Sequence, residues 1–168
     1  MTTELADAIK AGWANADRDD LGPTVDYFRD LLQRFPENRC ALYEYGGALD
    51  SAGREVEAAV MYERAFAAGL DGDTLRKGLI QYGSTLRNLG RCEEAVAVLS
   101  RVRREFPESD SVRMFLALAL ALVSAGRGNE AVAELINLAL DRLDGEDAQR
   151  YQRSLRGYAA QLSGPARS

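Results

Sequence analysis

The sequence predicts an all-α chain of four helical hairpins closed by a C-terminal helix. Three observations carry that expectation. The string Gly-Arg-x-x-Glu-Ala recurs at Gly53, Gly90 and Gly126, 37 and 36 residues apart. Apolar residues fall at helical spacing on both sides of each of these glycines. Proline closes two of the resulting units, at Pro36 and Pro107. A fixed period of this size marks stacked supersecondary units, each of which buries its apolar face against the next.

The first hairpin spans about 5–37, where Gly12, Phe28, Leu31 and Pro36 stand in register with the later copies. Its turn departs from theirs: Asp19 replaces the glycine, and Gly22-Pro23 opens the second helix, where the missing N–H of proline costs nothing. The second hairpin, 38–72, has Leu42, Tyr45, Gly46 and Leu49 before Gly53, then Val56, Ala59, Val60 and Ala65 with Tyr62. Gly53 sits where a left-handed residue ends the first helix, a conformation glycine takes without a Cβ penalty. The third, 73–108, runs Leu79, Tyr82, Gly83, Leu86, then Ala95, Leu99 and Val102. The fourth, 109–143, runs Phe115, Leu118, Ala119, Leu122, then Gly126, Ala131, Leu135 and Leu138. Residues 146–162 read as a capping helix, with Tyr151, Leu155, Tyr158 and Leu162 along one face, and 163–168 as a flexible tail. The whole of 1–162 is expected to form a single domain.

Composition narrows the function. The chain holds no histidine, which removes Ser-His-Asp and Cys-His pairs, His-ligated zinc and imidazole bases. No P-loop or metal-carboxylate spacing is present, so the expectation is a non-enzyme with no cofactor and no metal. A net charge of −5 gives no basic field for a phosphate backbone, which argues against nucleic acid. The longest apolar run, Met114 to Val123, is 10 residues, about half of what a bilayer-spanning helix needs. Nothing at the N-terminus reads as a signal peptide, so no membrane contact and a cytoplasmic location are expected. Cys40 and Cys92 form no C-x-x-C pair and read as reduced thiols. The near absence of lysine, limited to Lys10 and Lys77 against a total of 21 basic residues, fits a bacterial source.

The small residues at the helix crossings (Gly12, Gly46, Gly83, Ala119, and Thr24, Ala58, Ala95, Ala131) resemble the tetratricopeptide repeat, a unit of about 34 residues with a helix A, a turn and a helix B. Tyr62-Glu63-Arg64-Ala65, the run from Gly83 to Arg91, and Phe115 to Leu120 are similar to the bacterial subfamily called tetratricopeptide repeat group 5. The resemblance covers about Glu4 to Leu143. It implies a right-handed superhelix acting as a non-catalytic scaffold that binds a protein or peptide partner in its concave groove.

Carried over residue by residue, the resemblance places Tyr43, Asp50, Lys77, Gln81, Ser84, Arg87, Asn88 and Arg113 on the groove side of the A helices. Lys77, Ser84, Arg87, Asn88 and Arg113 offer donors suited to a carboxylate or a peptide backbone. Equally, Arg87 pairs with Asp50 and Glu44 neutralises Lys77 if these charges only compensate one another. The chaperone-tail subclass of the family is not matched, since Ile9, Trp13, Gly47 and Gln81 stand at four of its five clamp places. Apolar contact candidates are Trp13, Leu116, Leu120 and Val123. Trp13 is either end-cap packing or a groove anchor, and the three others are either covered by the capping helix or form a patch for a partner or a second copy. Two alternatives to the scaffold therefore stand: a homo-oligomer that closes its groove or its apolar terminal face with its own copy, and a small-ligand sensor.

Overall fold

In the computed structural model, which describes residues 2–123, 127–142 and 145–163, the described residues form nine α-helices and no strand. They are α1 (Thr3–Ala14), α2 (Gly22–Arg34), α3 (Arg39–Ser51), α4 (Glu55–Ala67), α5 (Gly72–Asn88), α6 (Cys92–Glu105), α7 (Asp110–Leu122), α8 (Gly128–Arg142) and α9 (Glu146–Leu162). Nine helices and no strand among the described residues fit the all-α helical repeat expected from the sequence. Gly126, Ser124 and the tail 164–168 lie outside the described residues.

The repeated hexapeptide has a local explanation at each of its positions. Gly53 and Gly90 take φ of 71° and 76°, ending α3 and α5 in the left-handed region. At Gly53 the turn closes with Arg54 N–H on the Leu49 carbonyl at 2.9 Å, the six-to-one bond of a Schellman ending. The next residue, arginine, grips the glutamate three places on. Arg54 and Glu57, Arg91 and Glu94, and Arg127 and Glu130 each form a two-pronged pair over the first turn of the B helix. The alanine that follows is buried in all three copies, Ala58, Ala95 and Ala131.

The chain divides into two compact units, Met1–Leu89 and Gly90–Ser168, with the division at the turn of the third hairpin. In the first unit α1 packs on α2, α2 on α3, α3 on α4 and α4 on α5, while α1 and α5 each also touch α3. Its core holds Leu5, Val25, Phe28, Leu31, Leu42, Leu49, Ala58, Tyr62 and Ala65. Glycines set the depth of the crossings. A Cβ on Gly12 would stand 2.6 Å from Tyr27 and 2.8 Å from Phe28, and one on Gly46 would stand 3.0 Å from the ring of Tyr62.

In the second unit α6 packs on α7, α7 on α8 and α8 on α9. Helix α7 buries a face other than the expected one. Leu118 and Leu122, assigned to the core by spacing, are 51% and 59% exposed, whereas Leu116, Leu120 and Val123, the apolar contact candidates, are buried. The reason is that α7 is apolar nearly all round, so two helical stripes compete and the periodicity selects neither. The stripe of Val112, Leu116, Ala119 and Val123 is the one buried. Val56, Val60 and Leu135 are likewise exposed where spacing assigned them to the core, while the smaller Ala59 and Ala131 of the same helices are buried.

Gly12→Ala is expected to destabilise the chain by about 1–3 kcal/mol through overpacking against Tyr27 and Phe28. Denaturant unfolding measures it. A variant as stable as wild type would mean that α1 does not cross α2 at this depth.

Candidate functional site

The A helices of the first unit, α1, α3 and α5, are joined side by side by polar bonds. Between α1 and α3, the Trp13 indole Nε1–H donates to Glu44 Oε2 at 2.6 Å. Between α3 and α5, the side chains of Tyr43 and Gln81 lie beside one another. One turn further on, Thr85 Oγ1 lies 2.9 Å from Asp50 Oδ1 and 2.9 Å from the Gln81 carbonyl oxygen, so its single proton serves two acceptors. Glu44, Gly47 and Asp50 follow at i, i+3 and i+6 along α3 and share one face.

Trp13 packs beside Gly47. The indole Cζ2 lies 3.5 Å from the point a Cβ on Gly47 would occupy, while the other side of the ring packs on Phe28 with centroids 4.9 Å apart. The ring is partly buried against the core, and its N–H is taken up by Glu44.

The electrostatics of this face are those of partly buried acids. Burial pushes the Glu44 carboxyl above its ordinary range, against the Trp13 hydrogen bond and the attraction of Lys77. Burial also raises Asp50, against the Thr85 bond and the pull of Arg87. The Tyr43 phenol is pushed up to about 12, first by burial and then by Glu44.

The cations expected at the groove centre are engaged locally. Lys77 Nζ pairs with Asp73 at 2.8 Å, one turn back along α5. Arg87 donates to Ser84 Oγ at 3.2 Å and to Asn88 Oδ1 at 3.0 Å. The direct Arg87–Asp50 pairing considered from sequence gives way to the Thr85 bond, and Glu44 takes its hydrogen bond from Trp13 rather than from Lys77.

Arg113 departs most from expectation. It belongs to the second unit and is buried, so it is not a free donor. Its Nε donates to Glu134 at 2.8 Å and its Nη1 to Asp141, while Arg103 joins Glu134 at 3.1 Å and Arg156 joins Asp141 at 2.7 Å. Five side chains thus tie α6, α7, α8 and α9 together. Sequence reasoning placed Arg113 by its register on α7 without counting the two carboxylates that α8 brings to it. Thr85 and Tyr62 were also missed beside this face: Thr85 lies off both the core and the groove stripes of α5, and Tyr62 at core spacing on α4 gives the same signal as an apolar residue.

Among the described residues no group of His, Cys, Asp or Glu is arranged to hold a metal ion, and no helix is long and apolar enough to cross a membrane. Both cysteines are free thiols.

Comparison with known proteins agrees with the architecture. A family model described as Tetratrico peptide repeat matches residues 39–162, from the start of α3 to the end of α9. Among solved structures, MamA 41-end from Desulfovibrio magneticus RS-1 is similar at a TM-score of 0.68 and 14% identity, over 98% of this chain and 99% of that one. The MamA RS-1 ArsTM double mutant gives the same TM-score and identity over 97% and 98%. YrrB, described as a TPR protein with an unusual peptide-binding site, is similar at a TM-score of 0.61 and 19% identity, over 86% of this chain and 75% of that one. At these identities the likeness is one of fold. No curated protein sequence matches the chain.

The raised Glu44 makes a pH-dependent prediction. A carboxyl that keeps its proton to higher pH in the folded chain than in the unfolded one adds stability below the ordinary carboxylate range, and this is lost as pH rises through the folded value. Glu44→Gln keeps an acceptor for Trp13 and removes the buried charge. It is expected to melt a few degrees above wild type at pH 7, with the difference closing towards about pH 4. A difference that does not change with pH would show that Glu44 is not held above its ordinary range.

Proposed function

The chain belongs to the tetratrico peptide repeat family, and on that premise we propose that it is a non-catalytic scaffold which binds a segment of a partner protein along the α1, α3 and α5 face of its first unit. One observation carries this reading: the cross-helix bonds Trp13 to Glu44 and Thr85 to Asp50 hold that face in a fixed geometry before any partner arrives. Binding to a preformed surface loses little conformational entropy on the protein's side. Ser84, Arg87 and Asn88, partly exposed on the last turns of α5, extend the face with groups that match a peptide backbone. The description of YrrB as a peptide-binding TPR protein supports the class of ligand. The absence of histidine and the engagement of the buried carboxylates with Trp13 and Thr85 favour binding over catalysis.

The test compares partners captured from the native cell by wild type and by an Arg87→Ala, Asn88→Ala double variant. Both side chains lie at the surface end of α5, so melting is expected to stay within about 0.5 kcal/mol of wild type while capture falls. Capture that persists unchanged at equal stability would place binding elsewhere.

A second reading, self-association, is favoured by a separate observation in the second unit. Met114, Leu118 and Leu122 repeat every four residues along α7 and are each more than half exposed. Such a stripe is a natural seam for another copy of the chain. If it is one, Leu118→Glu converts an oligomer into a monomer of unchanged helicity, as read by light scattering with circular dichroism. A wild-type chain already monomeric at high concentration would exclude this reading.

A further inference from the structure

Tyr62 is the least expected member of the groove-side face. It starts from α4, on the opposite side of α3, and its ring passes close beside Gly46. Its Oη comes to rest beside Gly47, 4.0 Å from the point where a Cβ there would stand, and the close pass of the ring at Gly46 is what brings it to that place. There the residue is fully buried, and Oη has no hydrogen-bond partner. The Oε1 of Gln81, beside Tyr43, is a second buried polar atom without a partner. Each such atom costs free energy unless something completes it.

The surrounding groups define what could complete them. Gln81 Oε1 is an acceptor only, Tyr62 Oη accepts as well as donates, and Glu44 and Asp50 are carboxylates whose hydrogen bonds come from neutral donors, Trp13 and Thr85. The nearby cations Lys77 and Arg87 are engaged with Asp73 and with Ser84 and Asn88. The place is rich in acceptors, negative, and bordered by the rings of Trp13 and Tyr43. That chemistry suits a group that brings several donors and a positive charge to an aromatic edge.

We infer that the notch over Gly47, between Trp13, Glu44, Asp50, Tyr62 and Gln81, is a subsite for an ammonium or guanidinium group, carried by a lysine or arginine side chain of the bound segment. The inference rests on the scaffold reading above and adds a specificity to it, since a segment lying along α3 and α5 is anchored here by a basic side chain. It reverses the polarity expected from sequence, where the groove centre was read as a donor set for a carboxylate. Burial holds both carboxyls above their ordinary range, and an arriving cation would relieve that penalty.

The chain's only tryptophan makes the site observable, because the Trp13 indole N–H is bonded to Glu44 and gives a single resonance. The full chain, labelled with nitrogen-15, is titrated with a capped Gly-Ser-Arg-Ser-Gly peptide, with the same peptide carrying citrulline in place of arginine, with one carrying glutamate, and with spermidine. The arginine peptide is expected to shift the indole resonance saturably and to bind at least about tenfold more tightly than the citrulline peptide, the glutamate peptide not at all. Asp50→Asn and Glu44→Gln each weaken it by about tenfold. Tyr62→Phe weakens binding while melting no lower than wild type, because the hydroxyl it loses had no partner. Spermidine binding as tightly as the arginine peptide would keep the cation subsite but assign it to a free amine. Equal binding of arginine and citrulline peptides overturns the inference. So does a Tyr62→Phe variant that melts lower and binds as before, since the hydroxyl is then structural. If none of these probes binds while cellular partners are still lost on changing Arg87 and Asn88, the subsite is refuted and the scaffold reading stands. If no partner is captured at all, it is the scaffold reading that fails.

Discussion

The close approach of α3 and α4 at Gly46 is the constraint on which the first unit depends. A Cβ there would meet Tyr62 at 3.0 Å, so any side chain would force the two helices apart or push the ring aside. With glycine in place, Tyr62 lies fully buried between them and contacts the next two aromatic positions, with centroids 6.2 Å from Tyr43 and 6.5 Å from Tyr82. The same rule holds at Gly12 against Phe28. The first two hairpins are thus each set by one missing side chain and one large ring, and the polar bonds between α1, α3 and α5 form on the spacing this imposes.

The two units solve the burial of charge differently. In the first, Glu44 and Asp50 meet neutral donors and remain costly as carboxylates. In the second, Glu134 and Asp141 meet Arg103, Arg113 and Arg156, and Asp141 is held below its usual range by Arg156 and Arg113. A closed network of this kind ties four helices together and has no further need of a ligand. An acid pair left to neutral donors keeps part of its desolvation cost.

How much of this was legible in the sequence depended on whether one residue or a neighbourhood decides the outcome. Gly53 and Gly90 were legible because a left-handed turn needs glycine whatever surrounds it, and Gly12 and Gly46 because small residues recur at the crossings. The buried face of α7 was not legible, since Leu116 and Leu118 carry the same hydrophobic signal and only the packing of α6 and α8 chooses between them. The groove residues of α3 and α5 were found by register, but their chemistry was not. Tyr43, Asp50 and Gln81 do share a face, yet its character comes from Glu44, Thr85 and Tyr62, which touch it from one turn away or from another helix. Charge counted along a helix therefore leaves out the acceptors that these neighbours bring to the face.

The paired glycines of α3 also bear on how the first unit comes apart. Two glycines inside a helix of 13 residues cost it about 2 kcal/mol relative to alanines, so α3 has little helical preference of its own and exists because α2, α4 and α5 enclose it. Repeat arrays usually fray from their ends, each unit outliving its neighbour. Here the middle A helix cannot outlive either side. Loss of one flanking helix removes α3 as well, and the face that carries Trp13, Tyr43 and Asp50 is present whole or not at all.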